Sequence, residues 1–207
     1  MEGDALEEVK TRHPDLAEAE QRATAHEIAV GALRYFLLKF TRNSVIAFDF
    51  KEALSFEGET GPYCQYAAVR ANSIFRKLDA SGGAASTGVS TGSGSDRVAS
   101  SPLVNAQNLI TSRQEQVKNI FSDEIGNEIW SLLVLAARLE EANGQAAASA
   151  EPAILAKYTF NLFYHRHRII AEEDSTRRSI LIVVADYARR QLTAALTTMG
   201  ITVPERM

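Results

Sequence analysis

Two stretches of this 207-residue chain carry side chains that could hold a ligand. In the first, Tyr63, Tyr66, Arg70 and Lys77 recur at spacings of three, four and seven residues, which places them along one side of a helix. Aromatic rings beside cationic groups suit a binding face. The alternative for the tyrosines is packing, because tyrosines three residues apart on a helix are often half-buried with only the hydroxyl in water.

The second stretch is the aromatic and basic run FYHRHR at 163–168. Its Tyr164, Arg166 and Arg168 suit RNA, because rings stack on unpaired bases and guanidinium groups contact phosphates. Two alternatives are a metal site and a solvated, basic helix end. The two histidines of the run stand two residues apart and do not face one another on a helix, which disfavours the metal site. We predict no metal ion and no catalytic group in either stretch.

A glycine-proline turn should position the first stretch. Gly58 and Gly61 permit backbone angles that other residues avoid, and Pro62 presets the angle of a first helical turn, where its missing N–H costs nothing. The spacing predicts a helix from Pro62 onward. Its packed side is an apolar stripe: Cys64, Ala68, Ala71, Phe75 and Leu78. Cys64 is the one cysteine of the chain, and this position predicts a core thiol.

Upstream of this turn, apolar periodicity predicts one long amphipathic helix between residues 13 and 43. Acidic residues in its opening turns suit the positive end of the helix dipole. The predicted buried stripe is Leu16, Ala23, Ile28, Leu33, Leu37 and Phe40. The β-branched and aromatic residues that follow, at 44–56, predict a short extended piece and then a single helical turn.

Three more helices are predicted downstream. The first carries an apolar stripe from Val117 to Leu139, packs Trp130 and ends at Asn143-Gly144. The second begins near Pro152 and runs into FYHRHR, and the last is capped by Ser175 or Ser179 and ends at Gly200. Residues 80–102 are almost entirely Ala, Ser, Gly and Thr, a composition that predicts a flexible insert. A domain boundary there is the alternative.

Charge and composition exclude several classes of protein. The net charge of −4 argues against indiscriminate coating of nucleic acid, and DNA is not a predicted partner. Residues 1–30 hold eight acidic and three basic side chains, whereas residues 151–207 hold six and eight, so an RNA surface belongs in the C-terminal part. No apolar run approaches the roughly 20 residues of a membrane span. We therefore expect no membrane partner and a cytoplasmic location.

The first stretch also carries a family resemblance. SFEGETGPYCQYAAVRANSIFRK at 55–77 resembles the signature that follows the catalytic domain in arginyl-tRNA synthetases, which are class I enzymes. Three further segments agree in order and spacing: VGALRYFLLKFTRN at 30–43, EPAILAKYTFNLFYHRHRIIAEED at 151–174, and LTTMGITVPERM at 196–207. The resemblance implies an all-α helical bundle of the class I anticodon-binding type with a long flexible insert. Residues 1–59 would be a connecting helical segment, and residues 60–207 a DALR-type anticodon-binding domain with 80–102 as its disordered insert.

In that family the DALR-type domain grips the anticodon loop of tRNA. Matched by segment, the resemblance assigns base contacts to Tyr63, Tyr66, Tyr164 and the C-terminal Met207. The positions of phosphates would be set by four cationic side chains: Arg70, Lys77, Arg166 and Arg168. The implied partner is an arginine-accepting tRNA.

Neither catalytic signature of the family occurs in this chain: the four histidines form no His-x-Gly-His arrangement, and no Lys-Met-Ser-like segment is present. We also find no glycine-rich phosphate loop. The catalytic domain, with its ATP and Mg²⁺, would thus be absent here, and we expect the chain alone to be inactive as an arginine-tRNA ligase. A separate N-terminal catalytic chain is a further implied partner. The alternatives are a helical protein-interaction module and a non-functional fragment.

Overall fold

The computed structural model describes residues 1–84, 101–161, 169 and 172–207. These residues form ten helices and no strand, which confirms the predicted all-α class. The helices are α1 Glu2–Arg12, α2 Glu18–Leu38, α3 Phe50–Ala53, α4 Gly61–Ala84, α5 Pro102–Ser112, α6 Gln114–Ile120, α7 Glu124–Ala137, α8 Leu139–Ser149, α9 Ala153–Asn161 and α10 Ser175–Thr198. In the described part of the chain, none of them is both long and apolar enough to traverse a bilayer.

The predicted long N-terminal helix is two helices, because the chain turns at residues 13–17 between α1 and α2. The buried face of α2 is also different from the predicted one, since Leu33 and Leu37 are 40% and 48% exposed. Four of the eight residues that α2 does bury are glycine or alanine; the eight are Gln21, Ala25, Ile28, Ala29, Gly31, Ala32, Tyr35 and Phe36. Small side chains let a neighbouring backbone approach closely, and that approach, rather than the leucine spacing, selects the packed face.

The predicted extended piece and single turn after α2 are confirmed, the turn being α3. The predicted helix from Val117 is broken, because α6 and α7 are separated by a tight turn in which a Cβ on Gly126 would lie 2.0 Å from the carbonyl oxygen of Ile120. The predicted end at Asn143-Gly144 is wrong, since α8 continues to Ser149 and stops at Ala150 in the left-handed conformation (φ 50°). The sequence patterns did not predict helix α5.

The prediction that Trp130 packs is only partly right. Its ring meets that of Phe121 edge to face, with 5.9 Å between the centroids, yet the side chain remains 54% exposed. The last helix ends as predicted, with Gly200 at φ 69° and the N–H of Ile201 donating to the carbonyl of Leu196. Its cap is Asp174 instead of a serine, because that carboxylate accepts from the N–H of Arg177 at 2.7 Å.

The chain forms two compact units, each with its own core. Unit 1 comprises Met1–Arg70, Leu135–Phe163 and Arg189–Met207, and unit 2 comprises Ala71–Val134 and Tyr164–Ala188. The predicted division at residues 59 and 60 stays a prediction. Of the predicted insert, residues 85–100 lie outside the described part, whereas 80–84 belong to α4 and Pro102 begins α5.

Buried hydrogen bonds as well as apolar contacts hold unit 1 together. The hydroxyl of Tyr35 on α2 donates to the carbonyl of Ala156 on α9 at 2.9 Å, and both groups are buried. The hydroxyl of Tyr158 on α9 donates in turn to the carbonyl of Ala136 at 3.0 Å. Breaking a buried hydrogen bond costs more than breaking an exposed one, so each of these bonds helps to fix the spacing of the two helices that it joins.

The predicted core thiol is confirmed, since Cys64 is free and buried beside Tyr35. Burial raises the pKa of the Cys64 thiol from 9.0 to about 12, and burial likewise raises the pKa of the Tyr35 hydroxyl. A group whose pKa is raised in the folded state keeps its contribution to stability below its unfolded pKa and loses it as the pH rises toward the folded value. The window for Cys64 is therefore pH 9 to 12.

We predict that the free energy of unfolding falls with pH across this window more steeply in the wild type than in Cys64→Ala, by at most about 1.4 kcal/mol per pH unit. Urea unfolding at pH 8, 9, 10 and 11 measures both slopes. The two proteins differ only at Cys64, so the difference between their slopes reports the thiol together with its effect on the neighbouring Tyr35. Equal slopes would contradict the prediction.

Candidate nucleic-acid interface

The start of α4 is fixed by the turn before it. The hydroxyl of Thr60 accepts from the N–H of Tyr63 at 3.2 Å and itself donates to the carbonyl of Ser55 at 2.5 Å. The Thr60 carbonyl also accepts from the N–H of Cys64 at 3.2 Å. Thr60 therefore caps the helix from both its side chain and its backbone, with Gly61 and Pro62 as the first helical residues.

The four predicted α4 residues emerge from this helix as the spacing requires. Tyr63 and Tyr66 are half-buried, whereas Arg70 and Lys77 are exposed. Arg70 is the last residue of that segment of unit 1, and Lys77, seven residues further along the helix, belongs to unit 2. Half-burial fits both sequence interpretations of the tyrosines, because each ring has one part held by protein and one part accessible. Partial burial raises the pKa of Tyr63, so its hydroxyl stays neutral at physiological pH and brings no negative charge to this surface.

The opposite side of α4 approaches the backbone of α2 very closely. A Cβ placed on Gly61 would lie 2.4 Å from the carbonyl oxygen of Gly31 and 3.0 Å from the Cα of Ala32. A Cβ on Gly31 would in turn lie 2.5 Å from the side-chain amide of Gln65. The two glycines thus let the helices meet backbone to backbone, and the side-chain amide of Gln65 lies between them next to Gly31.

Gln65 is fully buried, and its amide nitrogen donates to two carbonyls. One belongs to Glu27 on α2, at 3.0 Å, and the other to Thr202 in the tail that follows α10, at 2.7 Å. Sequence reasoning missed this residue. A glutamine on the packed side of an apolar helix is a signal, but its partners lie 38 and 137 residues away along the chain, so the sequence does not identify them.

The C-terminal tail is held against unit 1 along its length. The guanidinium of Arg34 donates to the carbonyl of Gly200, Ile201 and Pro204 are buried, and Arg206 pairs with Asp15 at 2.9 Å. The last residue, Met207, packs against an apolar cluster of α1 and α2 while remaining partly exposed. The members of this cluster are Ala5, Val9, Ala25, Ile28 and Ala29. Met207 is therefore placed by the fold rather than left as a frayed end.

The remaining predicted residues, Tyr164, Arg166 and Arg168, lie outside the described residues, as does the whole FYHRHR run. In unit 2, Arg177 pairs with Asp123 at 2.5 Å. Arg113 donates to the hydroxyls of Ser175 and Thr176. Across 1–84, 101–161, 169 and 172–207, no three His, Cys, Asp or Glu side chains converge as metal ligands.

Comparison with known families gives a match to the DALR anticodon binding domain over residues 99–207. Among relatives, the arginine–tRNA ligase of Pyrococcus furiosus is 33% identical over 205 residues, covering 96% of this chain and 28% of that protein. The arginine–tRNA ligase of Limosilactobacillus fermentum is 29% identical, covering 98% of this chain and 30% of that protein. This chain thus spans less than a third of the length of these relatives.

Solved structures agree with these matches. The arginyl-tRNA synthetase of Thermus thermophilus superposes with a TM-score of 0.65 at 25% identity, covering all of this chain and 31% of that one. The arginyl-tRNA synthetase of Plasmodium falciparum, at 18% identity and a TM-score of 0.64, has the same fold over the same coverage. The family model covers more than half of the chain, and the resemblance read from the sequence is confirmed. The chain is a homologue of arginine–tRNA ligases and belongs to the DALR anticodon-binding domain family.

Proposed function

We propose that this chain binds the anticodon loop of an arginine-accepting tRNA, as the tRNA-recognition part of arginyl-tRNA formation. The proposed contacts in the described residues are the rings of Tyr63 and Tyr66, the side chain of Met207, and the cations of Arg70 and Lys77. The three remaining contacts, Tyr164, Arg166 and Arg168, stay predictions from the sequence. Use of ATP and Mg²⁺ is assigned to a catalytic domain or chain that this chain would serve.

One observation carries the proposal. Two half-buried tyrosines follow a helix start that is anchored by Thr60, by the Gly31–Gly61 backbone approach and by Gln65. Rings in such a place have little freedom to lose on binding, and base stacking on a fixed ring contributes about 1–3 kcal/mol. Arg70, one turn beyond Tyr66, extends the same region toward a phosphate backbone.

We predict that the chain binds arginine-accepting tRNA and that replacing anticodon bases of the same tRNA by abasic sites weakens binding by about 1–3 kcal/mol for each lost stacking contact. Fluorescence anisotropy at fixed salt measures both affinities. The salt must be matched, because phosphate contacts alone give binding that varies steeply with ionic strength. Equal affinity for both tRNAs would contradict recognition of the anticodon, whatever its absolute value.

A second candidate function is protein binding, and an exposed apolar face favours it. Leu33 and Leu37 on α2 are exposed, as are Val45, Ile46 and Phe50 in the segment that follows. A contiguous exposed apolar patch is typical of surfaces that bind protein, and these five residues are the candidates to form one. A separate catalytic chain is the partner that fits the first proposal as well. Gel filtration of the wild type and of a variant with a charged residue at Leu37 tests this function. If the wild type binds no tRNA and dimerises, and the variant is monomeric, the second function alone is favoured.

A further inference from the structure

The buried amide of Gln65 connects three parts of unit 1 that the proposed function uses separately. It lies on the tyrosine-bearing helix α4, donates to Glu27 on α2 and donates to Thr202 in the C-terminal tail. Two carbonyl acceptors require the NH₂ end of the amide, so the orientation of the side chain is determined by its partners. Gly31 leaves the room in which this end sits, because a Cβ there would overlap it.

The position of Gln65 on α4 makes it a tether for both tyrosines. Successive residues of a helix are about 100° apart, so Tyr66 lies about 100° around the helix from Gln65, and Tyr63 lies nearly opposite it. A fixed point on the buried side sets the rotation of the helix about its axis. Any rotation of the start of α4 would carry both rings away from their positions.

The same amide holds the tail that ends in Met207. Two further polar contacts of the tail are peripheral: Arg34 donates to the carbonyl of Gly200 at the end of α10, and the pair of Arg206 with Asp15 is exposed and therefore weak. The bond from Gln65 to Thr202, at 2.7 Å from a fully buried donor, lies between these two. Its loss would remove the one of these three contacts whose donor is fully buried.

We propose that Gln65 is the positioning residue that fastens the C-terminal tail to α4, and so keeps Met207 and the two tyrosines in one fixed arrangement for RNA. This assignment rests on the proposed function for its RNA consequence. Its structural half, the fastening of the tail, stands without RNA.

The test replaces Gln65 with leucine, which keeps much of the volume and removes both donors. Gln21→Leu is the matched control, because Gln21 is also a buried glutamine of unit 1 and its amide donates to the carbonyl of His13 at 3.0 Å, in the turn before α2. That turn reaches the tail through the exposed, weak pair of Asp15 with Arg206 and not through α4. The chain has three methionines, so methyl-labelled methionine gives three NMR signals, of which Met207→Leu identifies one. Met1 packs on the same cluster as Met207, so departure of Met207 would change its surroundings too, and the Met207 signal of Gln21→Leu serves as the reference.

In Gln65→Leu we expect the Met207 methyl signal to move to the position of a disordered methionine and to sharpen. In Gln21→Leu it should not change. Affinity for arginine-accepting tRNA should fall by about fivefold or more in Gln65→Leu, the equivalent of one stacking contact, and not in Gln21→Leu. Met207→Ala should weaken binding in the wild type and have no further effect in Gln65→Leu.

An unchanged Met207 signal in Gln65→Leu overturns the assignment, as does tRNA binding equal to that of Gln21→Leu. If Gln65→Leu does not fold, Gln65→Asn replaces it, because this shorter amide cannot reach both carbonyls, and the same outcomes decide. Wild-type protein that binds no tRNA refutes the proposed function instead, and the methyl spectra then decide the fastening of the tail by themselves.

Discussion

Gly61→Ala is expected to lower the free energy of unfolding by about 3 kcal/mol, at the upper end of the usual cost of overpacking. The added methyl would lie 2.4 Å from the carbonyl oxygen of Gly31 and 3.0 Å from the Cα of Ala32. Both contacts are with backbone, which cannot rotate away as a side chain can. The helices α2 and α4 would have to separate, and the cap, the tyrosines and Gln65 would move with them.

Gly144→Ala is the matched control, because it adds the same methyl to the interior of α8, where nothing lies within 4 Å. There, alanine should stabilise by about 0.5–1 kcal/mol, since it loses less conformational freedom than glycine in a helix. Gly31→Ala should fall between the two, because its methyl meets the side-chain amide of Gln65 instead of backbone. Urea unfolding gives the order, and a Gly61→Ala protein as stable as Gly144→Ala would refute the close approach.

The largest expected effect on function comes from the two tyrosines. Tyr63→Ala and Tyr66→Ala should each weaken binding of arginine-accepting tRNA by about 1–3 kcal/mol, or roughly 5- to 150-fold, because each removes one stacking surface. Tyr63→Phe and Tyr66→Phe keep the ring and should bind nearly as the wild type. Anisotropy titrations of all four variants at one salt concentration measure these differences.

The same variants separate binding from packing, the two interpretations of half-buried tyrosines. If the rings only pack, the alanine variants lose stability and keep their affinity for tRNA once folded. If the rings bind, affinity falls by more than the change in stability explains, and the loss is smaller for a tRNA with an altered anticodon. Urea unfolding of each variant beside its titration distinguishes the two results.

Much of the fold could be predicted from short stretches of sequence, because adjacent residues determine where several helices begin and end. The Gly-Pro step gives the start of α4, Gly200 gives the end of α10, and the mixed residues after α2 give one extended piece and one turn. Each of these depends on backbone preferences of a few adjacent residues, which do not need a partner from elsewhere. The stripe from Cys64 to Leu78 was predictable for the same reason, because helical spacing alone brings its members to one side.

Other predictions were wrong because contacts with backbone elsewhere in the chain decided the packed face or the end of a helix. Leu33 and Leu37 fit an apolar stripe, yet the face of α2 that carries Gly31 and Ala32 is the one that packs, because α4 approaches there. The break between α6 and α7 follows from the contact of Gly126 with Ile120 in a tight turn, which apolar periodicity does not register.

By itself, the sequence determined the helical class, the family and the candidate residues, since these depend on residue types and on their spacing along the chain. The tertiary structure alone decided that Gln65 joins Glu27 to Thr202, that Gly31 makes room for it, and that Met207 rests on the cluster of α1 and α2. The physical reason is how far apart along the chain the interacting groups lie. A capping bond joins neighbours and can be read from them, whereas a buried donor takes whichever carbonyls the packed helices bring within 3 Å.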